Sequence, residues 1–241
     1  MLTGMKIAFS SFAVAALALA MTALPPASAK AQSLRGGCPN MSPPKLDIRI
    51  DPGEATIDGS RNLAYIKSIS DASHALHKEV LGLSVATLDA QRRTTFAFGR
   101  PRSGRGLCAS IQQLEIRIRL KDRRVYIAEE VQRSRCLTNF VRTHEFKHVA
   151  VDERVMNNYL PQWQAAMRTV LRQTHKTWGS SQDDAIARIE SQLDRAFNNV
   201  FNQMRRDQAR LQALIDNGGD YQRVNTVCDG VANKILGSRR R

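Results

Sequence analysis

One short stretch of the chain carries two histidines and a glutamate at the spacing of a metal site. His144, Glu145 and His148 form the pattern His-Glu-x-x-His within the segment VRTHEFKHVAVDE. Residues four apart on a helix are rotated by about 40° and stacked one turn apart, so both imidazoles can reach one zinc ion at about 2.0–2.1 Å. Zinc lowers the pKa of a bound water from about 15.7 to about 7, and Glu145 is placed to take its proton and pass it to a leaving amine. The spacing therefore predicts His144 and His148 as zinc ligands and Glu145 as the catalytic base.

A catalytic zinc needs a third protein ligand and one open position. Asp152 lies one turn beyond His148 on the same face, whereas Glu153 is rotated by about 140° and reaches the metal only if the helix bends. The third histidine of the metzincin pattern is absent, because Arg154 stands at its position. Three distant candidates remain: His175, Glu190 and Asp229. We predict Asp152 or Glu153 as the third ligand; the alternative is a motif of two half-buried histidines on one helix face, with a solvated glutamate between them.

The first half of the chain is expected to form a small antiparallel sheet. Alternating apolar and polar residues predict strands, and helix-spaced apolar residues predict one early helix. The strands are placed at 46–50, 83–88 and 94–98, with a further short one in ATIDG, and the helix at 61–80. The clearest β pattern covers 114–131 and is interpreted as a hairpin whose turn is the segment KDRR.

Long helices are expected in the second half. The motif helix is predicted to begin near Ser134 or Thr138, and Pro161 ends it, kinks it or starts the next helix. A second amphipathic stretch covers 183–215. The fold class is therefore α+β, a small antiparallel sheet followed by long helices. The predicted division is a signal peptide at 1–29, an irregular lead-in at 30–45, one domain at 46–235 and a basic tail at 236–241.

The motif and the helix that follows it resemble a known family. The segment HEFKHVAVDE is similar to that of the bacterial family of predicted secreted zinc-dependent proteases, whose layout is zincin-like. Many members carry a glutamate five residues past the second histidine, which Glu153 matches. They close with a Tyr…Thr-x-His-Gly segment similar to YQRVNTVCDG here, with Cys228 at the histidine position. The resemblance implies a zinc peptidase. In zincins a strand beside the motif helix pairs with extended substrate, and the candidate here is one arm of the 114–131 hairpin.

The N-terminus has the layout of an export signal. Lys6 precedes an apolar run from Ile7 to Leu24, and small residues favour a cut after Ala29, with Ala31 as the second choice. The alternative is an uncleaved membrane anchor. No later stretch is apolar enough to span a bilayer, so we predict a secreted or periplasmic protein.

Four cysteines in an exported chain predict two disulfides. We favour Cys108 with Cys136, because they bracket the predicted hairpin, which leaves Cys38 with Cys228. A zinc site made of all four is disfavoured, because no Cys-x-x-Cys pair exists.

The formal net charge of +14 bears on partners. Outside the cytosol, an anionic envelope component is the expected partner of a basic surface, and nucleic acid is not expected. Evenly spread charge that keeps the protein in solution is the simpler explanation. Two functions follow. The first is a zinc-dependent peptidase acting on peptide or protein. The alternative is a non-catalytic, disulfide-stapled basic envelope protein that binds an anionic polymer or a protein partner.

Overall fold

The computed structural model describes residues 37–70, 80–102, 104–174, 176–216, 223–224 and 226–237. Its elements, in chain order, are β1 (Lys45–Asp51), β2 (Thr56–Asp58), α1 (Leu63–Ile69), β3 (Gly82–Gly99), β4 (Leu107–Ile127), α2 (Arg135–Thr174), β5 (Lys176–Gly179), α3 (Gln182–Asp216) and α4 (Val231–Gly237). The predicted signal peptide and its cleavage site lie outside the described residues. Within the described ranges, no helix combines the length and apolar character needed to cross a bilayer.

The sheet is organised around β4, its longest strand. β3 pairs antiparallel with one edge of β4, from Gly82 opposite Ile127 to Gly99 opposite Cys108. The other edge of β4 is shared end to end by β5, β1 and β2, of which β1 and β2 run parallel to β4. The chain is thus a mixed sheet followed by long helices. The α+β expectation is confirmed, but the sheet is mixed rather than antiparallel because β1 and β2 run in the direction of β4.

The predicted hairpin over 114–131 is wrong, because this stretch belongs largely to one continuous strand. The pairing with β3 shifts register between Val85 and Thr87, opposite Lys121 and Arg124. Asp122 takes a left-handed conformation there, with φ 54°. The polar KDRR segment is therefore an irregularity of the β-bulge kind, which bends a strand without reversing it. The actual hairpin joins β3 to β4, and the outer edge of β3 has no partner strand among the described residues.

The two long helices form an antiparallel pair. Early residues of α2 contact late residues of α3: His148 meets Gln212, and Tyr159 donates a hydrogen bond to Asp207 at 2.7 Å. α2 has 40 residues and continues through Pro161. α3 has 35 residues, close to the predicted 183–215. This antiparallel arrangement brings the C-terminal end of α3 beside the motif.

Two apolar clusters hold the motif helix. In the larger one, the inward residues of β4 pack against both long helices, and its fully buried members include Leu114, Ile116, Ile118, Trp163, Met167, Ile189 and Leu193. The smaller one joins the N-terminal turns of α2, including Leu137 and Val141, to the end of β4 and to α1. Full burial of a large apolar side chain contributes about 1.5–3 kcal/mol. The motif turn lies between Val141 in one cluster and Val151 in the other, so both cores fix its position.

The four cysteines form two disulfides, Cys38–Cys108 and Cys136–Cys228. The predicted pairing is therefore wrong, although the prediction of two disulfides is confirmed. Cys108 is the second residue of β4, whereas Cys136 comes after its far end, in α2. An extended strand of that length spans about 60 Å from end to end, whereas bridged Cα atoms lie within roughly 7 Å of each other.

Peptide mapping under non-reducing conditions should recover Cys38 linked to Cys108 and Cys136 linked to Cys228. The double variant Cys136→Ser/Cys228→Ser should lower the free energy of unfolding by about 2–4 kcal/mol, because it frees a long loop in the unfolded chain. Recovery of a peptide linking Cys108 to Cys136 would contradict the fold of the β4 strand.

Candidate metal centre

Three side chains from two helices bring their ligand atoms together. His144 and His148 lie one turn apart on α2, and Asp216 is the last residue of α3. The two Nε2 atoms are 3.3 Å apart. Oδ1 of Asp216 lies 3.0 Å from Nε2 of His148 and 3.6 Å from Nε2 of His144. These side chains are only 10–15% exposed, so the cluster is nearly closed to solvent.

The triangle of donor atoms has the size that a tetrahedral zinc ion requires. Ligand bonds of about 2.0–2.2 Å at the tetrahedral angle place neighbouring donor atoms about 3.3–3.5 Å apart. The three observed separations of 3.0, 3.3 and 3.6 Å lie within about 0.3 Å of that range. Two imidazoles and one carboxylate are also a donor set typical of catalytic zinc, in which a fourth position stays open. The residues present therefore fit the metal that the motif predicts.

Gln212 of α3 determines which nitrogen of His148 faces the cluster. The amide nitrogen of Gln212 donates to the backbone oxygen of His148 at 3.1 Å and to Asp152. Its amide oxygen consequently faces Nδ1 of His148. An oxygen there accepts only from a protonated Nδ1, which assigns the proton to Nδ1 and leaves the Nε2 lone pair for a metal. An outer hydrogen bond of this kind orients a ligand imidazole and increases its basicity.

The predicted third ligands have other partners in the structure. Asp152 is buried and accepts hydrogen bonds from Gln212 and, at 2.8 Å, from Gln208. Burial raises the pKa of Asp152, and the two amide donors oppose that shift. Glu153 points elsewhere and forms an ion pair at 3.0 Å with Arg123. Asp152 therefore supports the site through Gln212, while Glu153 takes no part in the cluster.

The distant candidates also fall outside the cluster. Glu190 is paired with Arg92. Asp229 lies in the short 3-10 helix at 227–230 and is not among the three clustered residues. His175 lies outside the described residues. Sequence reasoning missed both Asp216 and Gln212.

Glu145 occupies a buried position between the motif helix and the start of β3. It is 6% exposed, and the backbone N–H of Ser84 donates a hydrogen bond to its carboxylate. Burial raises the pKa of Glu145 to about 7, and the imidazoles of His148 and His144 act in the opposite direction when they are protonated. For His148, burial lowers the pKa, but the hydrogen bond to Asp216 and the charge of Glu145 outweigh it and raise the pKa. The alternative interpretation of the motif expects a solvated glutamate, whereas Glu145 is buried.

The first residues of β3 contact the motif helix closely. A Cβ atom at Gly82 would lie 2.5 Å from Cγ1 of Val141 and 2.9 Å from Oε1 of Glu145, so only glycine fits there. The backbone N–H of Ser84 points at Glu145 and therefore away from β4. At this residue the outer edge of β3 faces the candidate site. A separate open depression of about 390 Å³, lined by Gln91–Arg93, Glu115 and Arg117, contains none of the cluster residues.

Comparisons of the chain with protein-family models, with curated proteins and with solved structures found no match.

The variant Gln212→Leu should weaken zinc binding by roughly 10–100-fold, the usual cost of losing an outer partner of a metal-binding imidazole. Ring ¹⁵N chemical shifts should show that His148 loses its preference for the Nδ1–H form. Gln208→Leu is the matched control, because Gln208 binds Asp152 one turn away on α3 without touching His148. Equal zinc affinities for wild type and both variants would exclude the positioning role of Gln212.

Proposed function

We propose that the protein is a zinc-dependent peptidase in which His144, His148 and Asp216 hold the metal and Glu145 is the acid–base group. The observation that carries the proposal is the convergence of two imidazole nitrogens and a carboxylate oxygen within 3.0–3.6 Å of one another. A buried carboxylate, Glu145, belongs to the same helical turn but not to the triangle.

Glu145 transfers protons in this proposal. A bound zinc ion supplies Lewis acidity, which acidifies a water and polarises the scissile carbonyl. Glu145 accepts the proton that the attacking water gives up, and it later donates that proton to the leaving nitrogen. Burial favours this role, since a carboxyl group with a raised pKa both gains and loses a proton near neutral pH.

In this proposal, the edge of β3 aligns an extended peptide. This edge has no partner strand in the described ranges, and at Ser84 it faces Glu145. A peptide added there as a further strand would present its bonds to the acid–base group through main-chain hydrogen bonds. We therefore assign the alignment of substrate to β3 instead of to the 114–131 segment. Most of that segment belongs to β4, which lies inside the sheet. A strand edge that lacks a described partner strand and lies beside the motif helix supports a zincin-like arrangement.

The resemblance to the predicted secreted zinc-dependent proteases is consistent with this arrangement. The chain departs from that family at Cys228, which is linked here to Cys136 at the start of the motif helix. A disulfide thus anchors α2 where family members have a histidine. Two disulfides also suit an oxidising compartment, so we propose a secreted or periplasmic location.

Other functions leave part of the site unexplained. Two histidines and one carboxylate also suit iron(II) oxygenases, but that chemistry gives no role to Glu145. A non-catalytic envelope protein with a structural metal would likewise not need a buried carboxylate beside the cluster. The desolvation cost of burying Glu145 therefore favours hydrolysis.

The variant Asp216→Asn should lose bound zinc, because a neutral amide replaces the only anionic member of the triangle. We expect an affinity loss of more than roughly 100-fold, beyond the range for an outer partner. Asp207→Asn is the control on the same helix: its carboxylate accepts from Tyr159 and does not touch the cluster. Metal content after dialysis measures both. Full zinc occupancy in Asp216→Asn would show that Asp216 is not a zinc ligand.

The variant Glu145→Gln should keep zinc and fold but lose about 10²–10⁴-fold in the rate of cleavage of an unstructured protein, because an amide cannot accept the proton. His148→Ala should lose both zinc and cleavage. Glu153→Gln, on the same helix and paired with Arg123, should cleave as wild type does. Undiminished cleavage by Glu145→Gln would refute the assigned role.

A further inference from the structure

The end of the β3–β4 hairpin carries a concentration of positive charge that has no ion-pair partner among the described residues. Arg100, Arg102 and Arg105 lie in the hairpin loop and are exposed, as is Lys176 on the neighbouring strand β5. None of the four forms an ion pair within the described part of the chain, whereas several sheet arginines do, such as Arg119 with Asp89. We call Phe98 and these four residues the basic tip.

Acidic residues near the basic tip do not cancel its charge. The first turn of α3, next to β5, contains Asp183 and Asp184. Asp184 is already engaged by Arg188 at 2.9 Å, and this contact lowers its pKa to about 2. The four cationic side chains of the basic tip therefore lie near two carboxylates. One of these, Asp184, is already paired with Arg188.

An aromatic side chain is exposed beside these charges. Phe98 is 41% exposed and is one of three large apolar side chains of the described chain that the fold leaves exposed. It sits at the end of β3, two residues before Arg100. Apolar side chains next to cations are typical of surfaces that insert shallowly between anionic lipid head groups.

The basic tip is held in shape before any partner binds. The Cys38–Cys108 disulfide fixes the start of β4. Trp178 donates its indole N–H to the backbone oxygen of Arg105 at 3.1 Å. Gly106 lies so close to Gly179 and Trp178 that a Cβ atom would be 2.5 Å from both. This anchoring at the base of the loop lowers the ordering entropy that is lost when the surface binds.

The chain enters the described unit at this same end. Gly37 is followed by Cys38, which is bonded to Cys108 beside the basic tip. The apolar run Ile7–Leu24 lies just upstream in the sequence. The sequence thus connects the predicted export signal to this end of the protein by a short segment. This connection and Phe98 favour lipid over a soluble anionic polymer.

We propose that the basic tip docks on an anionic lipid surface and so holds the protein at a membrane. The proposal is independent of the metal centre. Each Lys or Arg near an anionic leaflet contributes roughly a fivefold gain in binding, which salt weakens.

Co-sedimentation of the purified chain with vesicles tests this proposal. We expect binding to mixed phosphatidylglycerol and phosphatidylcholine vesicles and none to phosphatidylcholine alone. The triple variant Arg100→Gln/Arg102→Gln/Arg105→Gln should bind at least roughly 100-fold more weakly. The matched control is Arg154→Gln/Arg168→Gln/Arg206→Gln, which removes the same charge from exposed helix positions and should bind nearly as wild type does.

A second comparison separates lipid from polymer. Phe98→Ser should weaken vesicle binding and leave binding to soluble dextran sulfate unchanged. The phenyl ring can insert into a bilayer but not into a soluble polymer. Equal losses in the two triple variants would overturn the proposal in favour of diffuse charge. Binding to dextran sulfate without binding to vesicles would overturn it in favour of a soluble anionic polymer.

Discussion

The antiparallel packing of α3 against α2 brings together the three side chains of the candidate metal centre. It places Gln212 against His148 and Asp216 against both imidazoles. Farther along the same interface, Tyr159 meets Asp207, and Trp163 packs on Phe197 with ring centroids 5.0 Å apart. The apolar contacts stabilise the pair, and the buried polar contacts near the motif fix its register, since an unmatched buried polar group would cost about 1–3 kcal/mol.

Local sequence patterns predicted the motif helix and α3 well, but not the residue that completes the cluster. Asp216 lies at the end of a different helix, so a search for ligands near His148 finds Asp152 and Glu153 instead. A signal was nevertheless present. Two antiparallel helices have the same rise per residue. Residues at equal sequence distances on either side of their connection near Ser180 therefore lie opposite each other. Reflection about Ser180 pairs His144 with Asp216 and His148 with Gln212. The pairing becomes predictable once the two amphipathic stretches are treated as one helical hairpin.

The errors in the sheet predicted from the sequence have one cause, which is the length of β4. A polar break within an alternating pattern is typical of a turn, but Asp122 absorbs this one in a left-handed conformation and the strand continues. The predicted turn also placed Cys108 next to Cys136, but Cys108 lies near the start of β4 and Cys136 lies in α2, past the end of that strand. Once β4 is central, β3 becomes the strand whose outer edge, without a partner strand in the part of the chain that the structure describes, meets Glu145 at Ser84. The error in topology therefore changed which strand is proposed to align substrate, but left the residues of the motif unaffected.

We propose that one zinc ion is held jointly by α2 and α3. Anomalous diffraction at the zinc absorption edge, from crystals of the purified protein, would locate that ion. We expect one strong peak about 2.0–2.2 Å from Nε2 of His144, Nε2 of His148 and a carboxylate oxygen of Asp216. A zinc peak bound by Asp152 or Glu153 with Asp216 turned away, or no peak between the two helices, would contradict it.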